Sequence, residues 1–246
     1  MKLLVCVSKV PDTTTKINFT DNDTKFNTDG VQWILNPTDE WYALVRAIEL
    51  KEKNGGSVTV VNVGGAENDP VIRKALAIGA DDAVRIDAEE KDSYYVAAQI
   101  SAYAKDKGFD LILTGKETIN YNGFNVGGML AEELDLPYVA LSTSLEVEGS
   151  TATIVREIEG GEETVEVQTP FVLGATKGLA EARIPNMRGI MAARKKPLEV
   201  VPAADIEAFT TVKSYEKPAE RGDVTLIDPE NVDELVDKLH NEAKAI

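Results

Sequence analysis

An α/β fold built on an open, doubly wound, mostly parallel sheet is predicted by three observations. Short β-branched apolar runs are bounded by turn or charged residues, helical periodicity fills the intervals between them, and strict alternation begins only after Pro137. The runs at 3–7, 57–63, 83–86 and 111–114 have the length and composition of strands buried on both faces. Thr38 or Asp39 caps a helix that carries Trp41, Leu44, Val45, Ile48 and Leu50 and stops at Asn54-Gly55-Gly56. A second helix follows Asn68-Asp69-Pro70, with proline in its first turn and Ile72, Ala75, Leu76 and Ile78 on one side, and ends at Gly79. A third covers 94–107 and stops at Gly108; a fourth is predicted over 129–134. Strand and helix alternating in this order imply right-handed crossovers, with helices on both faces of the sheet.

After Pro137 the segments 140–147, 151–157 and 162–168 alternate in β fashion around Glu148-Gly149-Ser150 and Glu159-Gly160-Gly161, which predicts an antiparallel meander. Phe171-Val172-Leu173-Gly174-Ala175 is a further core strand returning to the main sheet. Residues 1–201 are thus expected to form one α/β domain and residues 202–246 a C-terminal arm, extended over 206–215 and helical over 229–243. That helix carries Val232, Leu235, Val236 and Leu239 on one face, an apolar stripe that must be buried against the parent domain or another subunit.

The chain has 246 residues, 43% of them hydrophobic, which suffices for a large core. No apolar run approaches the roughly 18 residues needed to span a bilayer, and the apolar stretch in MKLLVCVSKVPD is short for a secretory signal, so a cytoplasmic location without membrane insertion is expected. A formal charge of -16 argues against nucleic acid as a partner. The single cysteine, Cys6, falls in the first strand and rules out an internal disulfide or a cysteine metal centre. The lone His240 sits among Lys238, Asn241 and Glu242 on the terminal helix, which disfavours histidine-based nucleophilic catalysis. Against this acidic background, Arg183, Arg188, Arg194, Lys195 and Lys196 lie in a stretch with no acid between Glu181 and Glu199, either a solvated face or a docking site.

Ligands of open parallel sheets bind beyond the carboxyl ends of the strands. Four segments converge there: Cys6-Val7-Ser8-Lys9, Asn36-Pro37-Thr38-Asp39, Val63-Gly64-Gly65, and the loop from Gly115 to Gly128. The last, within DLILTGKETINYNGFNVGGMLAEELDLP (110–137), carries Lys116, Thr118, Asn120, Asn122, Gly123, Phe124, Asn125, Val126 and Gly127 into a helix start. An ordinary strand-to-helix turn accounts for the same residues, and the loop matches neither GxGxxG nor GxxxxGK[ST]. Main-chain amides and asparagines suit adenine, ribose and phosphate better than bond breaking, and a charged hydrogen bond to phosphate contributes about 1.5–3 kcal/mol. A few such bonds hold a mononucleotide at micromolar strength.

Several segments in their order resemble the electron-transfer flavoprotein β subunit: VCVSKVPD (5–12) with Lys16-Ile17, TDG (28–30), Asn36-Pro37 followed by Glu40, ALAIGAD (75–81), DLILTGK (110–116), REIEGG (156–161) and IMAARKKPLE (190–199). The resemblance implies an adenine nucleotide α-hydrolase-like α/β domain paired with an α subunit that holds most of the redox FAD. It further implies a structural AMP in the β subunit, and electron flow from dehydrogenases such as acyl-CoA dehydrogenase toward a quinone-linked acceptor. By position its nucleotide contacts fall on Cys6, Asn36 to Asp39, Val63 and the loop from Gly115 to Val126. Its partner-recognition segment falls on Arg183, Ile184, Pro185, Asn186, Met187, Arg188 and on to Arg194 and Lys195, with Met187 at the residue that docks into the dehydrogenase.

The loop departs from the family pattern Asp-Asp-Asp-x-Asn-Gln-Thr-Gly-Gln, since this chain has NYNGFNVGG at 120–128. Electron-bifurcating members hold a second FAD in place of AMP, and Val126-Gly127 is similar to their loop, although both of its acids are asparagine here. Thr13 stands where many members place an aromatic residue near the flavin. Two other classes fit less well: a universal-stress-type regulator needs a Gly-x-x-Gly phosphate loop, and an adenylating enzyme needs Ser-Gly-Gly-x-Asp-Ser where this chain has Ser8-Lys9-Val10-Pro11-Asp12.

Overall fold

The computed structural model describes residues 1–220 and 222–246. Strand β1 (Lys2–Cys6) leads into short strands β2 (Lys9–Pro11), β3 (Phe19–Thr20), β4 (Lys25–Phe26) and β5 (Trp33–Leu35) before helix α1 (Asp39–Asn54). Then follow β6 (Ser57–Val63), α2 (Asp69–Ile78), β7 (Asp82–Asp87), α3 (Ser93–Ala104), β8 (Leu111–Gly115) and α4 (Val126–Leu134). The remainder is β9 (Tyr138–Glu148), β10 (Thr151–Ile158), β11 (Gly161–Gln168), β12 (Phe171–Ala175), α5 (Met187–Ala193), β13 (Leu198–Pro202) and α6 (Val232–Asp237).

One nine-stranded sheet runs in the order β11-β10-β9-β12-β8-β1-β6-β7-β13. Central β1 pairs in parallel with β6 and β8, so its apolar residues have no solvent face and alternate between two cores. Leu3 and Val5 pack with Leu44, Ile48, Ile72 and Leu76 of α1 and α2. Leu4 and Cys6 pack with Tyr95 and Ile100 of α3 and Leu130 of α4 on the other face. The sheet is therefore doubly wound. The meander is continuous with it: β9 starts parallel to β12, with Val172 opposite Tyr138, and goes on antiparallel to β10.

Local chemistry sets the helix limits. α1 bears Asp39 and Glu40 in its first turn, Lys51 and Lys53 in its last complement the helix dipole, and Gly55 closes it at φ 75°. α2 packs so closely on α1 that a Cβ on Gly79, itself at φ 155°, would lie 2.9 Å from the Ile48 side chain. α3 ends at Ala104, short of the predicted 107, because Lys105 turns out of helical geometry at ψ 134° and Asp106 takes a left-handed conformation. α4 opens at Val126, three residues before the predicted Met129.

Both margins of the sheet are blunt. β11 shows Glu162 and Glu166 to solvent along its free side, and β13, which the sequence reading missed, lies against β7 and ends in Pro202. The arm then turns back over the domain: Gln99 exchanges two 2.8 Å hydrogen bonds with the backbone of Ala204, and Tyr215 stacks on Phe19 at 4.7 Å. The segment predicted as extended over 206–215 forms no strand. α6 continues as a wider turn over Lys238–Glu242, and Val232, Leu235 and Val236 are exposed.

Candidate functional site

A cavity of about 440 Å³ opens at the carboxyl ends of β1, β6 and β8. Of the sequence-predicted residues, Cys6, Ser8, Val63, Gly115, Lys116 and Thr118 line it, as do Asn120, Gly123, Phe124, Asn125 and Val126 from the loop. α4 begins at its wall. The side chain of its cap residue Asn125 makes no capping bond, no acid stands in the first turn, and the helical ladder starts only with Met129 N–H donating to Asn125 O at 3.0 Å. Early amide protons with no side-chain cap, aligned by the helix dipole, are suited to an anion. The loop ahead of it holds Asn122 and Phe124 in the left-handed region at φ 49° and 54°, a conformation an aromatic residue adopts only when its surroundings impose it.

Other predicted contacts have different work. Asn36 is fully buried away from the cavity: its amide donates to Glu117 O at 3.1 Å and its side-chain oxygen accepts from Ile119 N–H at 3.3 Å, so it pins the loop after β8. Pro37, Thr38 and Asp39 build the start of α1 behind it, and the residue that reaches the cavity from α1 is Glu40. Asn122 is exposed in the loop without lining the cavity. Gly127 and Gly128 are helical rather than loop residues. A Cβ on Gly127 would come within 2.6 Å of the Tyr138 hydroxyl and 2.7 Å of the Thr114 hydroxyl, so its glycine is required by packing, whereas a Cβ on Gly128 would meet Tyr138 at an ordinary 3.7 Å. Gly64 faces the neighbouring cavity, its carbonyl held by Arg85 at 2.9 Å; Arg85 is itself paired with Asp69 and Asp87.

Glu40, 5% exposed, accepts from the Ser8 N–H at 2.8 Å and the Ser8 hydroxyl at 2.7 Å. Burial nonetheless outweighs these bonds and pushes its carboxyl up to about 8. Burial, with Glu40 adding to it, likewise pushes the Cys6 thiol up, which makes it a neutral packing residue rather than a nucleophile. Burial raises Asp39 too, against the opposing charge of Lys116.

The sequence reading missed the lid of the cavity. Phe209, Thr210 and Val212 of the arm line it, opposite Tyr94 and Asp92 at the start of α3. Asp92 is a recognisable cap just before a helix, but nothing in the local pattern links it to residues more than a hundred positions away. A second cavity of about 970 Å³ adjoins the first through Lys9, Glu90, Asn120 and Tyr121, and is lined by Thr13, Phe19, Trp33 and Tyr215.

The basic stretch is partly helical. α5 is capped by Asn186, whose side chain accepts from Gly189 N–H at 2.9 Å, and it sits so close to α2 that a Cβ on Gly189 would lie 2.4 Å from Ala77 O. Arg183 is tied to Glu52 by bonds of 2.8 and 3.1 Å, and Lys196 donates to Leu76 O at 2.9 Å, so these two charges serve the fold. Arg188, Arg194 and Lys195 remain exposed, beside Ile184 at 82% and Met187 at 73% exposure, while Pro185 is half-buried between them. Among the described residues no group of His, Cys, Asp and Glu is placed to hold a metal, and no helix is long and apolar enough to cross a membrane.

Fold and site together define a doubly wound α/β protein with a largely apolar cleft, edged by polar loop residues, at the strand ends. Residues 23–206 match the model of the electron transfer flavoprotein domain. The chain is 39% identical over 260 residues to the electron transfer flavoprotein subunit beta of Bacillus subtilis, covering all of both chains. It is 34% identical to that of Homo sapiens, covering 97% of this chain and 96% of the other, and 35% identical to that of Thermoanaerobacterium thermosaccharolyticum, covering 84% and 80%. The chain belongs to the electron-transfer flavoprotein β-subunit family, and its general role is electron transfer.

Proposed function

We propose that this chain is the β half of a heterodimer that takes electrons from dehydrogenases, of the acyl-CoA dehydrogenase kind, through an FAD held mainly by an α subunit and passes them toward a quinone-linked acceptor. An AMP with a structural role sits in the cavity at the strand ends. The observation that carries the nucleotide assignment is the start of α4, a helix with neither a side-chain cap nor an acid in its first turn, at the wall of a cavity of about 440 Å³. Asn120 and Asn125 add donors and acceptors without the repulsion carboxylates would bring to a phosphate. The adjoining cavity, with Thr13 on its wall, is the surface offered to the flavin of the α subunit.

Two surfaces support the partnerships. Val224, Leu226 at 90% exposure, and the Val232, Leu235 and Val236 stripe make the outer arm an apolar ribbon that the α subunit would cover. Met187, with Ile184 beside it and Arg188 and Arg194 around it, forms an apolar knob in a basic rim, suited to an apolar pocket with an acidic border on a dehydrogenase. Met187→Ala is expected to slow electron transfer from the dehydrogenase while flavin content is retained; unchanged rates would remove the docking assignment.

The continuity of the two cavities through Lys9, Glu90, Asn120 and Tyr121 favours a second reading, in which a second FAD extends from one into the other. Acid extraction of the purified heterodimer separates the two. One AMP for each FAD is expected, and two FAD without AMP would establish the bifurcating form instead.

A further inference from the structure

The inner arm crosses the mouth of the cavity and is fastened on both sides of it. On one side a single carboxylate has two employments: Asp92 caps α3 by accepting from Tyr95 N–H at 2.7 Å through one oxygen, and with the other it accepts from Phe209 N–H at 2.7 Å, Thr210 N–H at 2.8 Å and the Thr210 hydroxyl at 3.2 Å. The Phe209 ring stacks on Tyr94 with centroids 3.9 Å apart and planes 9° from parallel. On the far side Tyr215 N–H donates to Asp23 O at 2.7 Å, and its ring stacks on Phe19. Between these fastenings Val212 joins Phe209 and Thr210 as lining of the cavity.

We propose that residues 206–215 act as a strap that retains the nucleotide, latched by Asp92 and Phe209, so that the nucleotide leaves or enters only when the strap lifts. This rests on the reading of the cavity as an AMP site. Gln99, which grips Ala204 from α3, is the hinge end that stays closed while the latch opens. Because the same arm runs on to the exposed apolar ribbon of residues 224–236, an α subunit covering that ribbon holds the strap down, and partner binding and nucleotide retention strengthen each other.

Asp92→Asn tests the latch selectively. Asparagine is as good a helix cap as aspartate, so its oxygen keeps the Tyr95 bond, which turns its NH₂ group toward two backbone donors it cannot accept from. In the purified heterodimer, exchange of bound AMP for labelled AMP is expected to accelerate about tenfold or more, the loss anticipated for charge-assisted bonds. The thermal midpoint should hold, and the Phe209 and Thr210 amides should lose protection against hydrogen exchange. Phe209→Ala, which lies in no helix or strand, should reproduce the acceleration if the first variant fails to assemble. Deprotected amides with an unchanged AMP exchange rate would overturn the strap while leaving the site intact. A wild-type heterodimer that carries its one FAD and no AMP would overturn both the site and the strap.

Discussion

Two helices begin at the same rim of the sheet and are prepared for opposite occupants. α1 carries Asp39 and Glu40 in its own first turn, so the protein's own carboxyl groups already occupy the place an external anion would take. α4 carries Val126, Gly127 and Gly128 there and has neither a capping side chain nor an acid. The contrast marks the start of α4 as the place on this rim where the phosphate of the proposed nucleotide would sit, while Glu40 of α1, bound to Ser8, gives the cavity a buried hydrogen-bonding wall.

The sharpest way to break the comparison is to make α4 resemble α1. Gly128→Asp places a carboxylate in the first turn at a position with room for a Cβ, and it is expected to weaken AMP retention about fivefold while raising helix stability by about 0.3–1 kcal/mol. Nucleotide content and thermal melting of the same preparation read both signs. Gly127→Ala next door should instead destabilise by about 1–3 kcal/mol, since its methyl group would be forced onto the Tyr138 and Thr114 hydroxyls. A melt equal to wild type would show that the pair of glycines serves the ligand rather than the packing.

The α1 side is probed by pH. The folded-state pKa of Glu40 lies above its unfolded value, so between about pH 4.5 and 8 the folded chain holds a proton that the unfolded chain has lost. Stability should therefore fall as pH rises through that window, by at most about 1.4 kcal/mol per pH unit from this group. Glu40→Gln should flatten the dependence; an identical slope in the variant would show that Glu40 is ionised throughout. The smallest effect is expected for Gly128→Ala, a gain of about 0.5–1 kcal/mol in stability with AMP retained, measured by denaturant titration.

Much of this was legible in the chain. The β-branched run at 57–63 is β6 residue for residue, Phe171 to Ala175 is β12, and Gly79 ends α2 where the pattern placed its stop. Such elements are written locally, in periodicity and caps. What escaped depends on contacts distant in sequence. The Gly127-Gly128 pair has the look of a loop, and only the approach of Tyr138 reveals a helix already under way. Asn36 has the side chain of a ligand contact, yet its partners are Glu117 and Ile119 of the protein. β2 and β5 are too brief for any period to show, and the cavity wall contributed by Phe209 and Thr210 depends on a carboxylate in a different part of the chain. The basic segment showed its charge but not its division of labour, since Arg183 and Lys196 are spent on the fold and Arg188, Arg194 and Lys195 are not.

The blunt margins of the sheet bear on how copies of this chain avoid joining one another. A nine-stranded sheet has two open sides, and each unpaired row of backbone groups invites a neighbour's strand to add on and seed a fibre. Acidic side chains along β11 repel an identical copy, and Pro202 withholds the amide that an incoming strand at β13 would seek. Edge-to-edge growth of the sheet is thus disfavoured, and the most exposed apolar groups lie away from its margins, on the arm at Val224 and Leu226 and around Ile184 and Met187.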